Sequence, residues 1–206
     1  MSIGVAYPVL RTSDLDLALR VARQMVVFGA QACSEVSVLA EAPTVSEAGR
    51  LRDALPDAWF ESESMDAPIV PPPGIPDLTC AVPARELPDD LTDAQAYLPL
   101  NVSMLDQPPG SIEDRFAVAI GPHPAEIRWS SLLWPEAPER DLYGEGKHAE
   151  VTLLLNCESR DLDARTDTHL VLVHVRRCNG DGYEDRFAEW LAEQIGQKVI
   201  GAPQHS

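Results

Sequence analysis

A chain of 206 residues with 45% apolar content is long enough to bury a substantial core, and too apolar to be a disordered acidic tail. Its 33 Asp and Glu against 16 Lys and Arg leave a net charge of −17, a field that repels phosphate backbones and anionic membranes and attracts basic surfaces. No apolar run approaches the ~20 residues of a membrane span, and no basic segment precedes the short apolar start, so the expectation is a cytoplasmic protein that binds neither nucleic acid nor membrane.

Ile3–Leu10 reads as a strand. Ser13 is placed to cap a helix whose stripe is Leu15, Ala18, Leu19, Ala22, Met25 and Val26. Glu35–Ala40 alternates as a short strand. Thr44 with Glu47 forms a capping box for a second helix through Leu51 to Leu55, stopped by Pro56. Trp59 and Phe60 start a third strand.

Residues 61–115 differ in composition. They hold 10 of the 18 prolines and 11 acidic residues against 2 basic ones. Proline at that density removes backbone donors and fixes φ, which argues against regular helix or central strand through much of the segment. Its apolar residues, among them Ile69, Val70, Ile75, Leu78, Val82, Leu87, Leu91 and Tyr97, argue for a stretch laid over a core rather than a free tether.

Phe116–Ile120 reads as a strand, and 127–134 as either strand or helix. Residues 149–158 and 169–177 then alternate with period two, which predicts an antiparallel hairpin. Keeping like faces together sets Thr152 opposite His174, Glu150 opposite Arg176 and Leu154 opposite Leu172. Asn179-Gly180-Asp181-Gly182 is a turn, and Asp181 with Glu184 caps a helix from Tyr183 to Ile195 that packs on the hairpin. Lys198–Ile200 returns as a short strand. The fold expected is α+β, a mixed sheet with a C-terminal β-β-α-β unit and a proline-rich acidic excursion in the middle. Residues 1–206 form one domain, with sub-parts 1–60, 61–115 and 116–206. No internal repeat is evident.

The chemical motifs are weak. Gly144-Glu145-Gly146-Lys147-His148-Ala149 matches a dinucleotide-binding pattern but lacks the preceding strand and following helix that the mechanism requires. Asp161, Asp163 and Asp167 resemble a calcium loop, yet the sixth position is Thr166 and the twelfth is Leu172, where geometry demands Gly and Glu. Cys33, Cys80, Cys157 and Cys178 show no C-x-x-C pair, so reduced thiols are expected, with neither disulfide nor zinc. The proposed register opposes Cys157 to His169 and His148 to Cys178, but these pairs stand roughly 30 Å apart along the strands and each supplies only two ligands. No metal and no cofactor is therefore expected.

His174 shares a face with Thr152 and Asn156, and this trio is the candidate ligand site. A histidine between apolar and polar neighbours can titrate near neutrality, but no nucleophile lies beside it in sequence. The concentrated negative segment favours a non-catalytic interaction protein such as an inhibitor, immunity protein or antitoxin that binds a basic protein. Glu61, Glu63, Asp89, Asp90 and Asp93 are its candidate contact residues. The rivals are a small-molecule-binding protein or enzyme with a dispersed site, and a structural, self-associating protein.

Overall fold

The computed structural model describes residues 4–177 and 182–205. In chain order they form β1 (Gly4–Thr12), α1 (Leu15–Gly29), β2 (Glu35–Ala42), α2 (Val45–Ala54), β3 (Trp59–Ser62), β4 (Val82–Pro83), β5 (Leu100–Gln107), α3 (Glu113–Ile120), β6 (Ala125–Ser130), β7 (Glu150–Leu155), β8 (His169–Arg176), α4 (Tyr183–Gln194) and β9 (Gln204–His205). The nine strands make one sheet in the order β4-β3-β5-β2-β6-β7-β8-β1-β9. The protein is α+β, but every neighbouring pair of strands is antiparallel, not the mixture of parallel and antiparallel pairs expected.

This order contains one topology twice. β2 and β3 are joined through α2 and flank β5, while β5 and β6 are joined through α3 and flank β2. Two split β-α-β connections thus interlock as β3-β5-β2-β6, the β-α-β-β-α-β arrangement. The strands β7-β8-β1-β9 repeat it, with α4 joining β8 to β9 around β1 and α1 leaving β1 to pack on β7 and β8. The first unit is therefore nested inside the second, between α1 and β7. Where the chain enters and leaves this inner unit, Leu133 N–H donates to Gly29 O at 2.8 Å and Ser34 Oγ donates to Ser131 O at 3.2 Å. The repeat is one of connectivity and has no fixed sequence period, so the sequence does not display it.

The helices lie on one face, over a core that runs through Val38, Ile127, Leu153 and Val171 across four strands. Helix α1 is capped by Asp14, whose carboxylate accepts from Leu17 N–H at 2.9 Å, rather than by Ser13. Thr44 caps α2 as its spacing with Glu47 implies, accepting from Glu47 N–H and donating to Glu47 Oε2 at 2.8 Å. Residues 116–120 are helix rather than strand. Phe116, Ala117 and Ile120 recur at helical spacing, a pattern that a five-residue apolar run cannot distinguish from a buried strand.

The segment 61–115 contains a central strand, β5, where proline density argued against one. Pro99 and Pro108 bracket that strand and none falls inside it. Of the other apolar residues in this segment, Ile75, Leu78, Val82, Leu87, Leu91 and Tyr97 are buried, whereas Ile69 and Val70 are exposed.

β7 and β8 pair antiparallel with Glu150 opposite His174, Thr152 opposite Leu172 and Leu154 opposite Leu170. This register is two residues from the one expected. A two-residue slip leaves every side chain on its face, so alternation alone does not determine it. Here β8 is zipped on its other side to β1 from Gly4 to Thr12. Cys157 bridges Arg165 rather than His169, and α1 covers β7 and β8 while α4 covers β8 and β1. The return strand is Gln204–His205, and the 198–200 stretch is no strand: Ile200 N–H donates to Pro8 O at 2.9 Å and Val199 packs against the core. Cys178, residues 179–181 of the expected turn and the Asp181 cap lie outside the described residues.

Candidate functional site

Register partners share a face, so Trp59, Ser103, Leu39, Glu126, Leu154 and Leu170 form one row across the side of the sheet away from the helices. That side is half closed. Over β7, β8 and β1, Ala6, Leu154, Leu170 and Leu172 are buried together beneath the 157–168 loop, whose Leu162 packs on them. The loop is pinned by Thr166 N–H to Asn156 O at 2.8 Å and by Gln204 Nε2 to Glu158 O at 3.1 Å.

Over β3, β5, β2 and β6 the sheet lies open. Trp59 is 45% and Leu105 52% exposed, and around them stand Glu35, Glu41 and Glu61, outward by the same alternation that buries Val36, Ala42 and Phe60. At the centre is a cavity of about 210 Å³ with Leu39 and Leu105 as apolar walls, the Ser37 and Ser130 hydroxyls, and the charges of Asp106, Glu126, Arg128 and Glu150. An irregularity in the β2–β5 pairing makes one wall. There Asp106 adopts φ 55° and its N–H donates to Ser37 Oγ at 3.1 Å. Glu126 is only 4% exposed, and its Oε1 accepts from Nε of Arg128, two residues along the strand, at 2.7 Å.

The chemistry available is recognition of positive charge beside apolar surface. The cavity's two hydroxyls have no imidazole among the lining residues, and among the described residues no three His, Cys, Asp or Glu side chains are grouped to hold a metal ion. Cys33, Cys80 and Cys157 are free thiols. None of the described helices is long and apolar enough to cross a membrane.

The sequence-derived contact residues divide between two places. Glu61 stands on the open face, in register with Asn101, and Glu63 is exposed just beyond β3. Asp89, Asp90 and Asp93 belong instead to the segment that packs against α2, where Arg52 Nη1 donates to Pro88 O. Asp90 accepts from Thr92 N–H at 2.9 Å and Thr92 Oγ1 at 2.6 Å, and these bonds hold its carboxyl below the usual range.

Of the candidate ligand trio, Thr152 and His174 meet, with Oγ1 and Nε2 2.9 Å apart. His174 is 3% exposed, and burial, reinforced by the positive charges of Arg160 and Arg128, pushes its pKa down to about 3. Its imidazole is neutral at physiological pH and sealed from solvent. Asn156 is at the other end of β7, where Nδ2 donates to Gly121 O and His123 O at 2.8 and 2.9 Å, tying the turn after α3 to the sheet.

Sequence reasoning missed Ser37, Asp106, Glu126, Arg128 and Ser130. The usable signal was the alternation of Glu126, Arg128 and Ser130 with Ile127 and Trp129, which a helix-or-strand ambiguity over 127–134 concealed. Comparison of this chain with family models, with curated protein sequences and with solved structures finds no match, so the reading of the site rests on its own residues.

Proposed function

We propose that this is an acidic, non-catalytic interaction protein, of the inhibitor, immunity-protein or antitoxin kind, whose open sheet face docks a basic protein. The observation that carries the reading is that face itself. It presents Glu35, Glu41, Glu61, Asp106 and Glu150, with buried Glu126 paired to Arg128, beside exposed Trp59 and Leu105. Charges of this kind speed encounter, and an aromatic anchor slows release. Self-association through the sheet edges is disfavoured, because β4 and β9 are two-residue strands and β4 carries Pro83. An enzyme reading has little to rest on once His174 is buried and neutral.

The test is capture from host lysate at low salt, followed by kinetics on the retained partner with the Glu35→Gln, Glu41→Gln, Glu61→Gln triple variant. Slower association with a flatter salt dependence, at unchanged melting temperature, is the expected result. A retained partner indifferent to the triple variant, or no retained partner at all, refutes the reading.

A further inference from the structure

We propose that the cavity between β5, β2 and β6 receives one cationic side chain of the basic partner, a lysine or arginine; this rests on the docking role of the open face. The Glu126 side chain is 5% exposed, yet only its Oε1 is engaged, by Arg128 Nε. Among the described residues Oε2 makes no hydrogen bond, and Glu126 lines the cavity. Arg128 is the counter-charge of this carboxylate, and its second oxygen is left to water or to a donor that enters the cavity. Among the lining residues Arg128 supplies one positive charge against three carboxylates, those of Glu126, Glu150 and Asp106, so the lining carries a net negative charge.

The remaining lining suits the rest of such a side chain. Leu39 and Leu105 offer apolar wall to a methylene stem, and the Ser37 and Ser130 hydroxyls offer acceptors to its N–H groups. At about 210 Å³ the cavity is below the ~300 Å³ at which small-molecule sites begin, which favours a single side chain over a cofactor. The buried carboxylate then governs release, while Glu35, Glu41 and Glu61 at the rim govern encounter.

The test uses small probes first, so that non-specific attraction to an acidic protein does not dominate. Nα-acetyl-lysine methylamide and Nα-acetyl-arginine methylamide are titrated while backbone amide NMR shifts are followed, with Nα-acetyl-norleucine methylamide as the uncharged control. Saturable shifts at Ser37, Glu126 and Ser130 with a cationic probe, absent with the control, are expected. The charge-neutral plug Ser130→Leu should weaken them about tenfold or more. Ser37→Leu replaces it if the amide spectrum shows that Ser130→Leu does not fold. Shifts that survive the plug, or that are as large at Asp89, Asp90 and Asp93, overturn the proposal.

Octalysine then separates this idea from the one beneath it. If the peptide binds the plugged protein as tightly as the unmodified one but loses affinity for the rim triple variant, the cavity proposal fails and the docking face stands. If it is indifferent to the rim variant as well, both fail.

Discussion

In the inner unit, the second helix begins on a buried carboxylate. Glu113 is 1% exposed and accepts from Gly110 N–H at 2.7 Å, Ile112 N–H at 3.1 Å and the Trp129 indole at 2.9 Å. Its counterpart in the outer unit, α4, begins after Gly182 in the left-handed region with no side-chain cap among the described residues, and exposed Asp185 accepts from Tyr7 Oη at 2.6 Å. The sheet faces differ in the opposite sense. The outer unit closes its far face with its own loop and an apolar cluster, whereas the inner unit leaves its far face wet and charged. The same topology serves in one half as a sealed scaffold and in the other as a tightly braced platform that presents a surface.

Removing the two helix-start acids puts this contrast to its severest test. Glu113→Ala strands the buried Trp129 indole and Ile112 N–H and frees the Gly110 N–H, and should cost about 3 kcal/mol by denaturant unfolding, against about 1–2 kcal/mol for Asp185→Ala, which leaves the single hydroxyl of Tyr7 without its acceptor. Equal losses would show that the inner unit is not the more firmly braced.

Next comes the seam between the units. A Cβ at Gly29 would stand 2.6 Å from Trp134 Cζ3, and that ring is fully buried with its indole donating to His174 O at 2.7 Å. Gly29→Ala should therefore destabilise by about 2 kcal/mol. Gly49, in the corresponding helix of the inner unit, has nothing within 4 Å of such an atom. Gly49→Ala should stabilise by about 0.5–1 kcal/mol, the ordinary helix propensity gain.

The outer unit also carries a buried titrating group. His174 is neutral in the folded protein down to about pH 3 but takes a proton below about pH 6.5 when unfolded. Its contribution is present above the unfolded value and is lost as pH falls between those two points, by about 1 kcal/mol per pH unit. Equilibrium unfolding from pH 7 to pH 4 should be less steep for His174→Gln, after correction for the variant's own stability at pH 7. An identical slope would remove His174 as the cause.

The smallest effect concerns the acidic residues away from the open face. Changing Asp89, Asp90 and Asp93 to Asn should slow association with a basic partner less than the Glu35, Glu41 and Glu61 changes do, because they face a different side of the molecule and act only through the screened long-range field. Association measured at two salt concentrations tests the ranking.

Sequence alone reached the elements whose periodicity is long or whose ends are signalled chemically. The α1 stripe, the Thr44 cap and the alternation of β7 and β8 are of this kind. It missed what depends on partners distant in sequence. The register of β8 reflects its pairing with β1, some 160 residues away. Glu126 reads as an ordinary solvated strand acid until β2, β5 and β7 surround it. Composition drew attention to 61–115 as a single acidic surface, but the strand β3 and the α2-packed segment divide its charges between two sides.

The hydrogen bond from Leu133 N–H to Gly29 O has a consequence for the order of folding. In an unfolded chain, bringing α1 to β7 means closing a loop of roughly one hundred residues. Once β2 to β6 have folded, the same junction is a gap of a few residues, and the closure entropy falls by about 3 kcal/mol. The inner unit is therefore expected to nucleate first, with the outer strands added to an edge, β6, that already exists. Stopped-flow folding and unfolding rates should then show that substitutions in its interior, such as Phe116→Ala, slow folding, while those in β1 or α4 chiefly speed unfolding.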